Sequence, residues 1–184
     1  MKAWLTSCIA LVGAMSVLAA CAHAPPTIPP VAQVDLSRFM GRWYVIAHIP
    51  TRFERDAFAA TETYVQAPDG RIETTFAYRK GALDGPERTM HPIARVRPGT
   101  GNAVWDMRFF GIFDAEYVIA DLDEQYSVTV IARSSRDYAW IMARTPSISP
   151  AALQGATDRL RALGYSLENL REVPQPRHDP DAAP

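Results

Sequence analysis

Cys8 and Cys21 are the only thiols in the chain, and both fall near its start. Cys21 closes the stretch Leu18-Ala19-Ala20-Cys21, behind a basic start at Lys2 and an apolar run. That order is a secretory signal ending in a lipobox, in which the peptide is cut before the cysteine and the cysteine is acylated. Residues 1–20 then leave as a signal peptide, taking Cys8, and Cys21 becomes a lipid anchor. The apolar run is too short to cross a bilayer comfortably as a helix. Ala22 stands where an Asp often marks inner-membrane retention, which favours the outer membrane. The mature chain keeps no thiol, disulfide or thiolate metal site, so its core alone must hold it together.

The other reactive side chains form no familiar constellation. His48 and His91 are the histidines of the central region, and neither belongs to an H-E-x-x-H pair. There is no G-x-S-x-G, P-loop or dinucleotide glycine pattern. Carboxylates are plentiful, but their spacing names no acid–base pair. If Trp43 points inward, alternation carries Val45 and Ala47 inward and leaves His48 outside. His91 lies beside Pro92 with no partner histidine nearby. No catalytic residue, metal site or cofactor is therefore expected. A formal net charge of -1 and the lack of a Lys/Arg block give no footprint for nucleic acid. What remains is a binding module.

Strands and one helix must position that module. Residues 21–34 join the acylated cysteine to a tether with four prolines and no Asp, Glu, Lys or Arg. Residues 174–184 form a second proline-rich stretch, expected to fray. Between them, residues 35–173 suffice for one domain. Eight runs read as strands: 42–49, 61–66, 71–80, 90–97, 103–110, 115–121, 126–133 and 137–144. Most of the links are short, so neighbours are expected to be antiparallel. Trp105, Met107 and Phe109 alternate with Asp106 and Arg108; Tyr138, Trp140 and Met142 share a face with Arg144. A helix follows, with Ser149 as N-cap, Pro150 at its first position, a stripe of Leu153, Ala156, Leu160 and Leu163, and Gly164 at its stop. A final short strand is expected within 167–173. The fold predicted is all-β: an eight-stranded antiparallel up-and-down barrel with one C-terminal helix packed outside. Closure removes exposed edges, and eight strands leave room for side chains or one small ligand.

Gly41-Arg42-Trp43 opens the first strand, residues 121–126 (Asp-Leu-Asp-Glu-Gln-Tyr) link the sixth to the seventh, and Arg144 ends the eighth. Together with Arg52 to Arg55 and Arg136 to Ser149, these marks resemble the lipocalin family, in its bacterial outer-membrane branch related to apolipoprotein D. The resemblance covers roughly Val34 to Val173. It implies that Gly41 permits a tight entry, that Trp43 plugs the barrel floor, and that Arg144 lies across the tryptophan. It also implies an open mouth partly covered by the link of residues 50–60. There Phe53 and Phe58 either meet a ligand or pack the rim.

The ligand-binding face is expected to include Tyr64, Thr74, Phe76, Trp105, Met107, Phe109, Trp140 and Met142, with the lower layer packing the core and the upper layer meeting cargo. The resemblance turns Tyr64 and Glu62 inward, and Glu116 inward with Val118 and Ala120; alternation alone accepts the opposite faces equally well. The implied partners are a fatty acid or a lysophospholipid, together with the outer membrane through the N-terminal lipid and possibly a second copy in a homodimer. Two other readings stay open: an envelope interaction module with a filled barrel, and a lipid-modifying enzyme.

Overall fold

The computed structural model describes residues 27–176. The expected signal peptide, Cys21 and the chain after residue 176 lie outside the described residues. Strands β1 (Gly41–Ile49), β2 (Ala57–Gln66), β3 (Ile72–Lys80), β4 (Glu87–Met90), β5 (Ile93–Val96), β6 (Val104–Phe109), β7 (Phe113–Leu122), β8 (Val128–Ala132) and β9 (Ala139–Ala143) pair antiparallel in sequence order. β9 returns to β1 and closes the barrel. β4 and β5 occupy a single position beside β3, so the barrel has eight staves.

The fourth stave was expected as one strand and is broken at His91-Pro92. Proline has no N–H for the ladder. Its carbonyl instead accepts from Thr74 N at 3.1 Å. β2 starts earlier than expected, at Ala57, which shortens the link after β1 to residues 50–56.

Two apolar clusters divide the interior from the outside. Trp43, Val45, Tyr64, Ile72, Phe76, Trp105, Met107, Tyr117, Ile119 and Met142 fill the barrel. Ile46, Ala47, Val118, Ala120, Val130 and Ile141 face outward, under helix α2 (Pro150–Ala162). Ser149 caps that helix, accepting from Ala152 N at 3.2 Å, and Ala156 and Leu160 are buried against the sheet.

The N-terminal segment is a strap along the outside of the barrel. Thr27 N donates to Ser134 Oγ at 2.9 Å, Val31 N to Ile119 O at 2.9 Å, and Val34 N to Gly101 O at 2.8 Å. The short helix α1 (Leu36–Phe39) then crosses one end of the barrel and leads into β1. That end is the floor. The links after β1, β6 and β8 gather at the other end, the mouth.

The C-terminal segment completes the wall. β10 (Arg171–Glu172) pairs with β1 at Ala47 and His48. Beyond it, Ala59 N donates to Pro174 O at 2.7 Å. Gln175 Nε2 donates to Val45 O at 2.8 Å and Ala60 O at 3.0 Å. The last contacts with the barrel thus fall two residues beyond the expected boundary at Val173.

Candidate ligand cavity

The floor is built from the start of β1. Gly41 has φ +92°, a conformation that suits glycine, and a Cβ there would lie 3.5 Å from Arg144 Nη1. Two residues on, Trp43 is fully buried and its indole N–H donates to Phe39 O at 2.8 Å. The Arg144 guanidinium lies 3.8 Å from the centre of the Trp43 ring. It donates to the carbonyls of Arg42 (2.8 Å), Arg38 (2.6 Å) and Phe39 (3.0 Å). These bonds tie α1 and both ends of the strand ladder to one half-buried cation, and the ring contact adds about 1 kcal/mol. In the link of residues 123–127, Asp123 accepts from Ser127 N at 2.6 Å and Val128 N at 3.0 Å, which fixes the turn beside Arg144.

Above the floor lies an aromatic layer. Trp105 stacks on Tyr117 at 5.1 Å between centroids and meets Tyr64 and Phe39 edge-on. The Tyr64 hydroxyl donates to Glu62, and the Tyr64 and Tyr117 hydroxyls lie 2.6 Å apart. Glu62 is buried. Burial pushes its carboxyl up to about 7, against the hydrogen bond from Tyr64; the charge of Glu54 adds to the rise. Burial likewise raises both tyrosines well above the ordinary phenol range.

A register shift in β1 between Val45 and Ala47 changes which side chains face this interior. The extra residue reverses the alternation. Ala47 joins the outer cluster, and His48 turns inward opposite Trp140, with 1% of its surface exposed. The expectation that His48 faces outside is therefore corrected: simple alternation from Trp43 fails at the bulge. The β1–β2 link folds back to meet this histidine. Glu54 Oε2 accepts from Trp140 Nε1 at 3.2 Å and lies 3.6 Å from His48 Nδ1, which has no hydrogen-bond partner among the described residues.

The cavity opens above Glu54 and Tyr117. It measures about 530 Å3, within the range of small-molecule sites. Its apolar wall comes from Met90, Met107, Phe109, Phe113, Tyr117 and Trp140; its charged rim includes Arg52, Glu54, Asp114 and Arg133. Of the residues expected to meet cargo, Met107, Phe109 and Trp140 line it. Tyr64, Trp105 and Met142 are fully buried in the barrel packing, and Phe76 and Thr74 are buried along β3. Phe53 stands at the mouth, 57% exposed, and Phe58 is half-buried at the start of β2.

Glu116 requires a second correction. On β7 the inward residues are Tyr117 and Ile119; Val118 and Ala120 lie in the outer cluster. Glu116 points with that outer set, accepting from Arg97 Nη1 at 3.3 Å and Ser134 N at 2.7 Å. Alternation had left both faces open, and pairing to Arg97 decides between them. The sequence reading missed Glu54, because a glutamate between arginines in a link carries no mark of burial. Tyr117 was left out because the resemblance pointed to the other face of β7 while alternation allowed both.

Residues 34–175 match the lipocalin-like domain family. The chain is similar to the outer membrane lipoprotein Blc of Citrobacter freundii, with 32% identity over 172 residues, covering 91% of this chain and 94% of that protein. Mouse apolipoprotein D matches at 26% over 155 residues, 80% of each chain. Among solved structures, insecticyanin from the tobacco hornworm Manduca sexta has a TM-score of 0.63 at 14% identity, covering 83% of this chain and 86% of that one. This last likeness speaks for the fold alone. Taken with a barrel whose floor is closed by Trp43 under Arg144, the match over most of its length means that the chain belongs to the lipocalin family.

Proposed function

We propose that this lipocalin is held to the outer membrane by an acylated Cys21 and carries a one-chain amphiphile, a lysophospholipid in preference to a fatty acid. The observation that carries this reading is the mouth cavity, apolar on its walls and charged with both signs at its rim. Each buried methylene gains about 0.8 kcal/mol relative to water, and a bilayer offers the same gain. A two-chain phospholipid therefore has little reason to leave the membrane, whereas a one-chain lipid partly free in water has more to gain. A zwitterionic head can answer both Arg52 or Arg133 and Glu54, while a fatty acid carboxylate answers only the arginines. Arg133 supports this: its Nε is buried and has no partner among the described residues. The similarity to outer membrane lipoproteins supports the anchor.

Native mass spectrometry of the Cys21→Ser chain tests the cargo. Offered lysophosphatidylethanolamine and palmitate in equal amounts, the protein should retain one molecule, predominantly the lysolipid. Equal retention of the two removes the head-group argument. An empty barrel favours an interaction module, and a hydrolysed lipid favours an enzyme.

A further inference from the structure

We infer that the mouth of the barrel docks on a lipid bilayer, with the tip of the β6–β7 hairpin entering the same membrane that holds the chain's N-terminus. This rests in part on the acylated Cys21 proposed above. Single exposed apolar side chains are ordinary on a protein surface, but a cluster is not. Phe110, Ile112 and Phe113 are 69%, 75% and 64% exposed, and all belong to one hairpin tip. Phe53 is exposed across the same opening, with the Arg52 guanidinium 4.9 Å from its ring centre. The tip is held firmly. Phe109 pairs with Phe113, and Ile112 N donates back to Phe109 O at 3.1 Å. Large side chains at a rigid tip are thus presented to the surroundings.

The strap gives the orientation. Traced backward from α1, it leaves the floor at Val34, runs along Ile119, and reaches Ser134 in the β8–β9 link at Thr27. Arg133, beside that link, lines the cavity together with Phe110 and Phe113. The first described residue therefore lies on the mouth side. Thr27 stands six positions after Cys21, a stretch that spans at most about 20 Å when fully extended. An acyl chain on Cys21 holds the mouth, rather than the floor, close to the bilayer.

A membrane fits the tip better than a second copy does. A stable dimer buries about 800 Å2 on each partner, more than one hairpin tip supplies. Aromatic side chains, in contrast, settle readily at the interface of a bilayer. Phe110 and Phe113 also belong to the cavity wall, so a docked tip joins the lipid layer to the cavity without exposing a lipid chain to water.

The mature chain, once its cysteine is acylated, has no free thiol, so Ile112→Cys can carry a single fluorescent label. Gln125→Cys, at the floor, is the control. Vesicles of phosphatidylethanolamine and phosphatidylglycerol with a doxyl quencher on the acyl chain should quench the label at 112 and leave the label at 125 bright. This should hold for the acylated chain. In the Cys21→Ser chain, Phe110→Ser with Phe113→Ser should weaken vesicle binding by roughly tenfold or more, as expected for removing two inserted side chains. An unquenched label at 112 in the acylated chain overturns the proposal, as does equal quenching at both positions. Self-association that shields the label at 112 without vesicle binding assigns the tip to a second copy instead. Failure of the anchor reading is seen separately, as an unmodified Cys21 in the intact mass of the wild-type protein; the Cys21→Ser chain then decides the docking alone.

Discussion

Glu62 is a carboxyl buried where ionisation is costly. Its folded pKa of about 7 stands above its ordinary value of 4.5. Below pH 4.5 the group is protonated in folded and unfolded chains alike and changes nothing. As pH rises from 4.5 to about 7, the unfolded chain ionises and the folded chain resists, so stability is lost progressively across that window and the loss is complete above 7. Glu62→Gln should therefore raise Tm above wild type near pH 8, by an amount corresponding to at most about 3 kcal/mol, and by much less near pH 5. Thermal melts at the two values check this, and a pH-independent difference would contradict it. At this scale the sequence was legible where a side chain has a singular job: Trp43 and Arg144 stand at the positions that the family resemblance marks, and their contact closes the floor. It was not legible where facing depends on one extra residue. The β1 bulge that turns His48 inward leaves no trace in composition. Glu116 is turned outward by Arg97, which is distant in sequence.

At the scale of elements, the strands and the helix follow from alternation, turn residues and the Ser149-Pro150 start. The break at His91-Pro92 was signalled by the proline and only its consequence was missed. The C-terminal seam is harder to foresee. Pro174 and Gln175 read as tail because their composition is that of a linker, yet they satisfy backbone groups where β2 has parted from β1. Buried backbone groups left unpaired cost about 1–3 kcal/mol each. A chain ending at Val173 should melt several degrees below one ending at Pro176, about 2–8 °C for a domain of this size. Circular dichroism melts of the two truncations test the seam; identical midpoints would mean that water replaces Gln175 without loss.

At the scale of the whole molecule, the barrel, the strap and the proposed anchor form one arrangement. Cys21→Ser should move the protein from the outer-membrane fraction to the soluble fraction with its Tm unchanged, because the strap begins only at Thr27. Continued pelleting of a Cys21→Ser chain that also carries Phe110→Ser and Phe113→Ser, and so lacks the docking tip as well, would contradict the anchor. The barrel architecture was readable because eight strands with mostly short links leave few other closed forms, whereas the cavity was not, because its depth depends on Glu54 and on the layer in which Trp105 and Tyr117 stack. That layering makes the most direct test. Lysophosphatidylethanolamine is titrated into the Cys21→Ser chain carrying Trp105→Phe, which retains Trp140 on the cavity wall, and into the chain carrying Trp140→Phe, which retains Trp105 beneath it. The account predicts a saturable change in emission from the first chain and none from the second, with lipid bound by both. Saturable binding that leaves the emission of the first chain unaltered, or a change arising only in the second, would contradict a cargo seated above Tyr117 and against Trp140.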